Sequence, residues 1–163
     1  MKTKKLTVLA LTVSVAMVLS FVESQIPAFV AVPGVKVGLA NIAVVFALYR
    51  LGWKEAAAVS LVRVLLVSLL FGNFASLFYS LAGAVLSLLG MGLMKRTGRF
   101  TEIIVSVTGG ILHNVGQIGM ACFLLGTDVL RYYLPFLMLS GILAGIVIGV
   151  LAAILVKRIK LEV

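Results

Sequence analysis

The chain's only histidine, His113, lies in Thr108-Gly-Gly-Ile-Leu-His-Asn-Val-Gly-Gln117, inside an apolar run from about Ile103 to Leu125. On a helix of about 3.6 residues per turn, Ser106, Gly109, Gly110, His113, Asn114 and Gln117 share one face. Ile111, Val115, Ile118 and Cys122 share the opposite one. An imidazole and two amides on one face can donate and accept hydrogen bonds, which is chemistry for recognition. Arg63 stands alone in the middle of another apolar run, and its guanidinium fork suits a carboxylate, a phosphate or paired carbonyls. Glu23, Lys36, Asn41 and Asn73 fall at the ends of further apolar runs, and Tyr79 lies one turn into another. Nothing here spells catalysis. There is no phosphate-cradling loop, and no Asp-rich pair to hold magnesium on a diphosphate. A lone histidine without nearby acids or cysteines makes a weak metal site. The expectation is therefore a binding constellation with no metal and no cofactor.

These residues must be positioned by elements that suit a bilayer. Of 163 residues, 63% are hydrophobic and 12% charged, a composition foreign to soluble domains of this size. The single Cys122 excludes an intrachain disulfide and a cysteine-based metal cluster. The net charge of +9 would suggest nucleic acid on a soluble protein. Here loop cations explain it, and no nucleic-acid partner is expected. The start, Met1-Lys-Thr-Lys-Lys5 and an apolar run, imitates a signal peptide, but no small-residue cleavage site follows. It reads as a retained span.

Six spans are expected in one all-α membrane domain: about 6–26, 37–51, 55–71, 74–94, 101–125 and 134–156. The first carries two small-residue stripes, Ala10/Ser14 and Thr12/Ala16, which permit close approach of a neighbouring helix. The segment Pro27–Lys36 is broken by two prolines and a glycine yet stays apolar, so it reads as a loop folded over the mouth of the bundle. Ser76, Ser80, Gly83, Ser87 and Gly90 form a small-residue stripe in the fourth span. Gly141, Gly145 and Gly149 form one in the sixth, where Pro135 is tolerated in the first turn. Arg63 lies too deep to reach either surface easily. An arginine at that depth costs at least about 2.5–3.5 kcal/mol and needs an internal partner.

The loops fix the direction. Lys2, Lys4, Lys5, Arg50, Lys54, Lys95, Arg96, Arg99, Lys157, Arg158 and Lys160 fall on one side, against Lys36 and Arg131 on the other. An even number of spans with both termini cytoplasmic produces that asymmetry. The expectation is a multi-pass protein of the cell membrane. Glu23, Lys36, Asn41, Arg63, Asn73, Tyr79, His113, Asn114 and Gln117 would surround a pocket opening outward, for an anionic or strongly hydrogen-bonding small molecule.

Several stretches carry a resemblance that covers nearly the whole chain. They are Glu23-Ser-Gln-Ile-Pro27, Val32-Pro-Gly-Val-Lys-Val-Gly-Leu-Ala-Asn41, Ala47-Leu-Tyr49, Arg63-Val-Leu-Leu66, Leu70-Phe-Gly-Asn73, Tyr79-Ser-Leu-Ala-Gly83, His113-Asn-Val-Gly-Gln117 and Tyr133-Leu-Pro135. Together they resemble the Gx transporter family, whose members are also known as heptaprenyl diphosphate synthase component I. That family in turn is similar to the substrate-binding S components of energy-coupling-factor transporters. The resemblance implies a six-helix bundle holding a vitamin-like ligand near the outer face, with a transmembrane coupling subunit and two ATPases as partners. S components usually dock through Ala-x-x-x-Ala in the first helix; here Ala10/Ser14 and Thr12/Ala16 stand in its place. The synthase name implies instead a noncatalytic membrane component of long-chain prenyl synthesis. A third implication is a membrane partner in flavin-linked electron transfer, with the glycine stripes facing partner helices.

Overall fold

The structure, a computed structural model, describes residues 2–25 and 38–159. The loop Pro27–Lys36, with the candidate Lys36, lies outside the described residues. The described chain is all-helical: α1 (Lys2–Gln25), α2 (Asn41–Arg50), α3 (Trp53–Phe71), α4 (Phe74–Arg96), α5 (Glu102–Leu125), a short 3-10 turn over Val129–Tyr133, and α6 (Leu134–Arg158). Six helices match the hydropathy pattern, and four of them, α1, α4, α5 and α6, are long and apolar enough to cross a membrane. The other two differ in kind. The second expected span shrinks to ten residues, about 15 Å of helix, because the chain turns through Gly38 (φ +76°) and enters the helix at Asn41. The third has nineteen residues but carries Lys54, Glu55 and Arg63.

Local signals set the boundaries. Gly52, at φ +120°, turns the chain between α2 and α3. Asn73 and Thr101 cap α4 and α5 by accepting from Ser76 N (2.8 Å) and Ile104 N (3.4 Å), satisfying amides that have no partner inside the helix. Gly126 closes α5 in the left-handed conformation, its N–H donating to the Cys122 carbonyl, as glycine does at helix ends.

Helix α5 is packed between α4 and α6 and makes the most extensive contacts in the molecule. Small residues allow it: a Cβ on Gly145 would sit 2.6 Å from Val107 Cα, one on Gly149 2.6 Å from Ile103 Cα, and one on Gly116 2.7 Å from the Ala82 carbonyl oxygen. Helix α2 occupies the middle of the other half, against α1, α3 and α6. Its seven residues Ile42 to Leu48 are all buried, so it shows no apolar stripe; every face is inside. The outer surface is apolar, with Leu69, Phe74, Leu93, Phe123 and Phe136 each more than 60% exposed, as a lipid-facing belt requires.

One end of the bundle collects the cations and uses several as struts. Lys5 pairs with Glu55 at 2.5 Å. Arg50 Nη2 donates to the Val156 carbonyl, and Lys95 Nζ donates to the Leu48 carbonyl. The last two satisfy carbonyls in the final turns of α6 and α2, which lack intrahelical donors. Lys95 also lies 5.2 Å from the centre of the Tyr49 ring.

Candidate functional site

A cavity of about 410 Å³ is lined by residues from all six helices. It lies beside the first turn of α2, which begins at Asn41. Arg63 stands at the same level, its Nη2 donating to Asn41 Oδ1 at 3.3 Å. The Arg63 Nε is buried and, among the described residues, has no hydrogen-bond acceptor. Glu23, near the end of α1, accepts from the Gly38 backbone N–H and lines the same cavity as Arg63. These three residues line the cavity from the α1–α2–α3 side.

The facing wall belongs to α5. His113, Asn114 and Gln117 all line the cavity, with Ser106, Gly109 and Gly110 on the same helix face, as the periodicity predicts. Gly83 lets α4 approach this face: a Cβ there would lie 2.7 Å from the His113 carbonyl oxygen and 3.0 Å from its Nδ1. Asn114 has a structural attachment, since its Nδ2 donates to the Leu137 carbonyl of α6. Arg63 and His113 thus border one cavity from opposite halves of the molecule.

The remaining candidates divide. Asn73 lines the cavity, and its side-chain oxygen is engaged in a reciprocal cap, with Ser76 Oγ accepting from Asn73 N at 2.9 Å. Tyr79 is half-buried on α4 and is not among the lining residues. On α1, Thr12 and Ala16 are buried against the bundle, while Ala10 and Ser14 are exposed, so the two stripes face opposite ways. Gly141, Gly145 and Gly149 meet α5 of the same chain, where a Cβ on Gly141 would lie 2.9 Å from the Gly110 carbonyl oxygen. The α6 stripe is therefore occupied inside the bundle.

Sequence reasoning missed the serines of the cavity's other side. Ser20 and Ser24 stand one turn apart on α1 beside Glu23, and Ser68 lies on α3; all three line the cavity. The i, i+4 spacing of Ser20 and Ser24 was a usable signal. Ser68, a single serine in an apolar helix, offered none. The reciprocal cap in Asn73-Phe-Ala-Ser76 was also legible as a helix-start pattern.

These features define an α-helical membrane protein built around a polar internal cavity. The family model for heptaprenyl diphosphate synthase component I matches residues 12–155, and the chain belongs to that family. The family's name implies association with a partner synthase component. No curated protein and no solved structure matches the chain.

Proposed function

We propose that this chain is a membrane-embedded substrate-binding subunit, similar to an S component, that takes up a small anionic or vitamin-like molecule. In this reading it crosses the cell membrane six times with both termini cytoplasmic, and it works with a transmembrane coupling subunit and ATPases. The observation that carries the reading is the cavity shared by all six helices, with Arg63, Asn41 and Glu23 on one side and His113, Asn114 and Gln117 on the other. Its volume of about 410 Å³ falls in the usual range of small-molecule sites. The gathering of cations at the end opposite Asn41 supports the orientation. Reporter fusions after Arg99 and after Arg158 should both read as cytoplasmic; an external reading for either defeats the six-span arrangement.

The binding test uses full-length protein purified gently in detergent. Small molecules released on denaturation are identified by mass spectrometry from wild type and from Ser80→Trp, which places an indole in the cavity. Wild type should release a recurrent compound that Ser80→Trp lacks. Identical profiles, or no compound from either, would sink the proposal. The family's name favours a second reading, a noncatalytic partner of a prenyl diphosphate synthase. Co-purification separates the two: a coupling subunit with ATPases supports uptake, and a soluble Asp-rich synthase supports the second.

A further inference from the structure

Resting on the cavity-binding reading above, we infer that the bound molecule is a compact monocarboxylate whose acid group sits on Arg63, and that a diphosphate is excluded from this site.

The argument starts from charge. Among the described lining residues the ionised side chains are Arg63 and Glu23, one of each sign. Arg63 already carries a neutral acceptor, Asn41 Oδ1, at a long 3.3 Å. Its Nε is buried with no acceptor among the described residues. Such a buried donor costs the full loss of its hydration. Nε and Nη2 form one edge of the guanidinium, and a carboxylate engages such an edge with two parallel bonds. One carboxylate would thus satisfy Nε and replace the weak Asn41 contact with a charge-assisted one. Among the described lining residues the second negative charge, that of Glu23, is already engaged by the Gly38 N–H.

A diphosphate meets the opposite situation. It brings two or three negative charges to one arginine among the described lining residues, in a cavity that the Glu23 carboxylate also lines. The customary remedy is a divalent metal held by carboxylates, but among the described residues no three His, Cys, Asp or Glu side chains lie together to hold one. Size points the same way, since a seven-unit prenyl chain far exceeds a cavity of about 410 Å³. The rest of the cavity suits a small polar body: Ser20, Ser68, Ser80 and Ser87 supply hydroxyls, and Val45 and Ile148 supply apolar surface.

The test compares benzoate, its uncharged isostere benzamide, and inorganic pyrophosphate as probes, read as shifts in melting temperature of the detergent-purified full chain. Benzoate near a hundred times its dissociation constant should raise the wild-type midpoint by on the order of 5 °C. Benzamide and pyrophosphate should not. Arg63→Gln should weaken benzoate affinity about tenfold or more, which at the same benzoate concentration cuts the shift to about half or less, and Arg63→Lys should restore it in part. Should Arg63→Gln fail to fold, Asn41→Asp serves, because it presents a built-in carboxylate to the same guanidinium and should abolish the benzoate response. Equal shifts with benzoate and benzamide, no benzoate shift in wild type, a response unchanged in Asn41→Asp, or an Arg63-dependent shift with pyrophosphate would each overturn the inference. A compound released from wild type but not from Ser80→Trp, together with any of those results, would leave the cavity reading standing and remove only the ligand class.

Discussion

Helices α4, α5 and α6 meet backbone to backbone, whereas α1, α2 and α3 are joined by side chains that carry charge. In the first group glycines remove the side-chain layer, so that Gly110 and Gly141, or Gly145 and Val107, face each other across a contact that no Cβ could enter. In the second group Glu23 holds Gly38, Arg63 holds Asn41, and Lys5 holds Glu55. The physics explains the division. In lipid no hydrophobic force drives helices together, so they associate by close van der Waals contact or by polar bonds. The glycine route gives a dense wall with no charges in its contacts. The polar route places ionised groups inside the bundle, and two of them, Glu23 on α1 and Arg63 on α3, line the cavity beside the first turn of α2 at Asn41. The cavity lies where the two kinds of packing meet.

The sharpest way to break this comparison is to add volume to the dense half. Gly145→Leu must push α6 away from the Val107 backbone, 2.6 Å from the new Cβ. Overpacking against backbone, which cannot rotate aside, should cost about 3 kcal/mol, the upper end of the usual range. Folded yield on detergent size exclusion should collapse. Ile146→Leu, at a residue 42% exposed, should behave as wild type. Equal yields would mean that the glycine wall does not hold this half together.

A smaller loss is expected where a cation reaches from one half to the other. Arg50 on α2 donates to the Val156 carbonyl of α6. Arg50→Ala removes a charged donor and leaves that carbonyl unpaired, for about 1.5–3 kcal/mol. The midpoint should fall, and Arg50→Lys should recover part of the loss. A neutral Arg50→Ala would mean that the halves hold together without this strut.

Much of this is legible in the sequence, and the limits follow from the same physics. The α5 face was readable because His113, Asn114 and Gln117 repeat with the helix period inside an apolar run, where polar residues must face inward. Arg63 is readable because an arginine in the middle of an apolar run needs an internal partner. The glycine stripe on α6 announced a close contact but not its partner, since a bare surface fits any helix; the partner proved to be α5 of the same chain. The shortness of α2 is readable in part, since its expected span of about 37–51 is already brief for a bilayer crossing, but its start is not. Its apolar pattern continues upstream through Val37, and only the turn at Gly38 sets its start. Tyr79 does not line the cavity although its neighbours Ser76 and Ser80 do, and position along α4 alone does not separate them. An adjacent residue on a helix points about 100° away.

The least costly change lies at the joint between the halves, and it also decides what Asn73 is for. Asn73 stands between α3 and α4, the one covalent link from the polar group to the glycine group. Its side chain accepts from Ser76 N at 2.8 Å while Ser76 Oγ accepts from Asn73 N at 2.9 Å. Each bond satisfies an amide that the helix cannot. Loss of such a cap costs about 1 kcal/mol, so Asn73→Ala should lower the midpoint by a few degrees. Asp and Ser are comparable caps, so Asn73→Asp and Asn73→Ser should retain the wild-type midpoint. Asn73 also borders the cavity, which gives it a competing role as a ligand contact through its amide nitrogen. The Ser variant separates the roles, because it keeps an accepting oxygen for the cap, loses the amide and adds no charge to the cavity. Under capping alone, Asn73→Ser should keep both stability and the compound released from wild type. Should it keep stability and lose the compound, the residue serves both the joint and the cavity, and the polar half would extend one residue further into the site than its hydrogen bonds alone indicate.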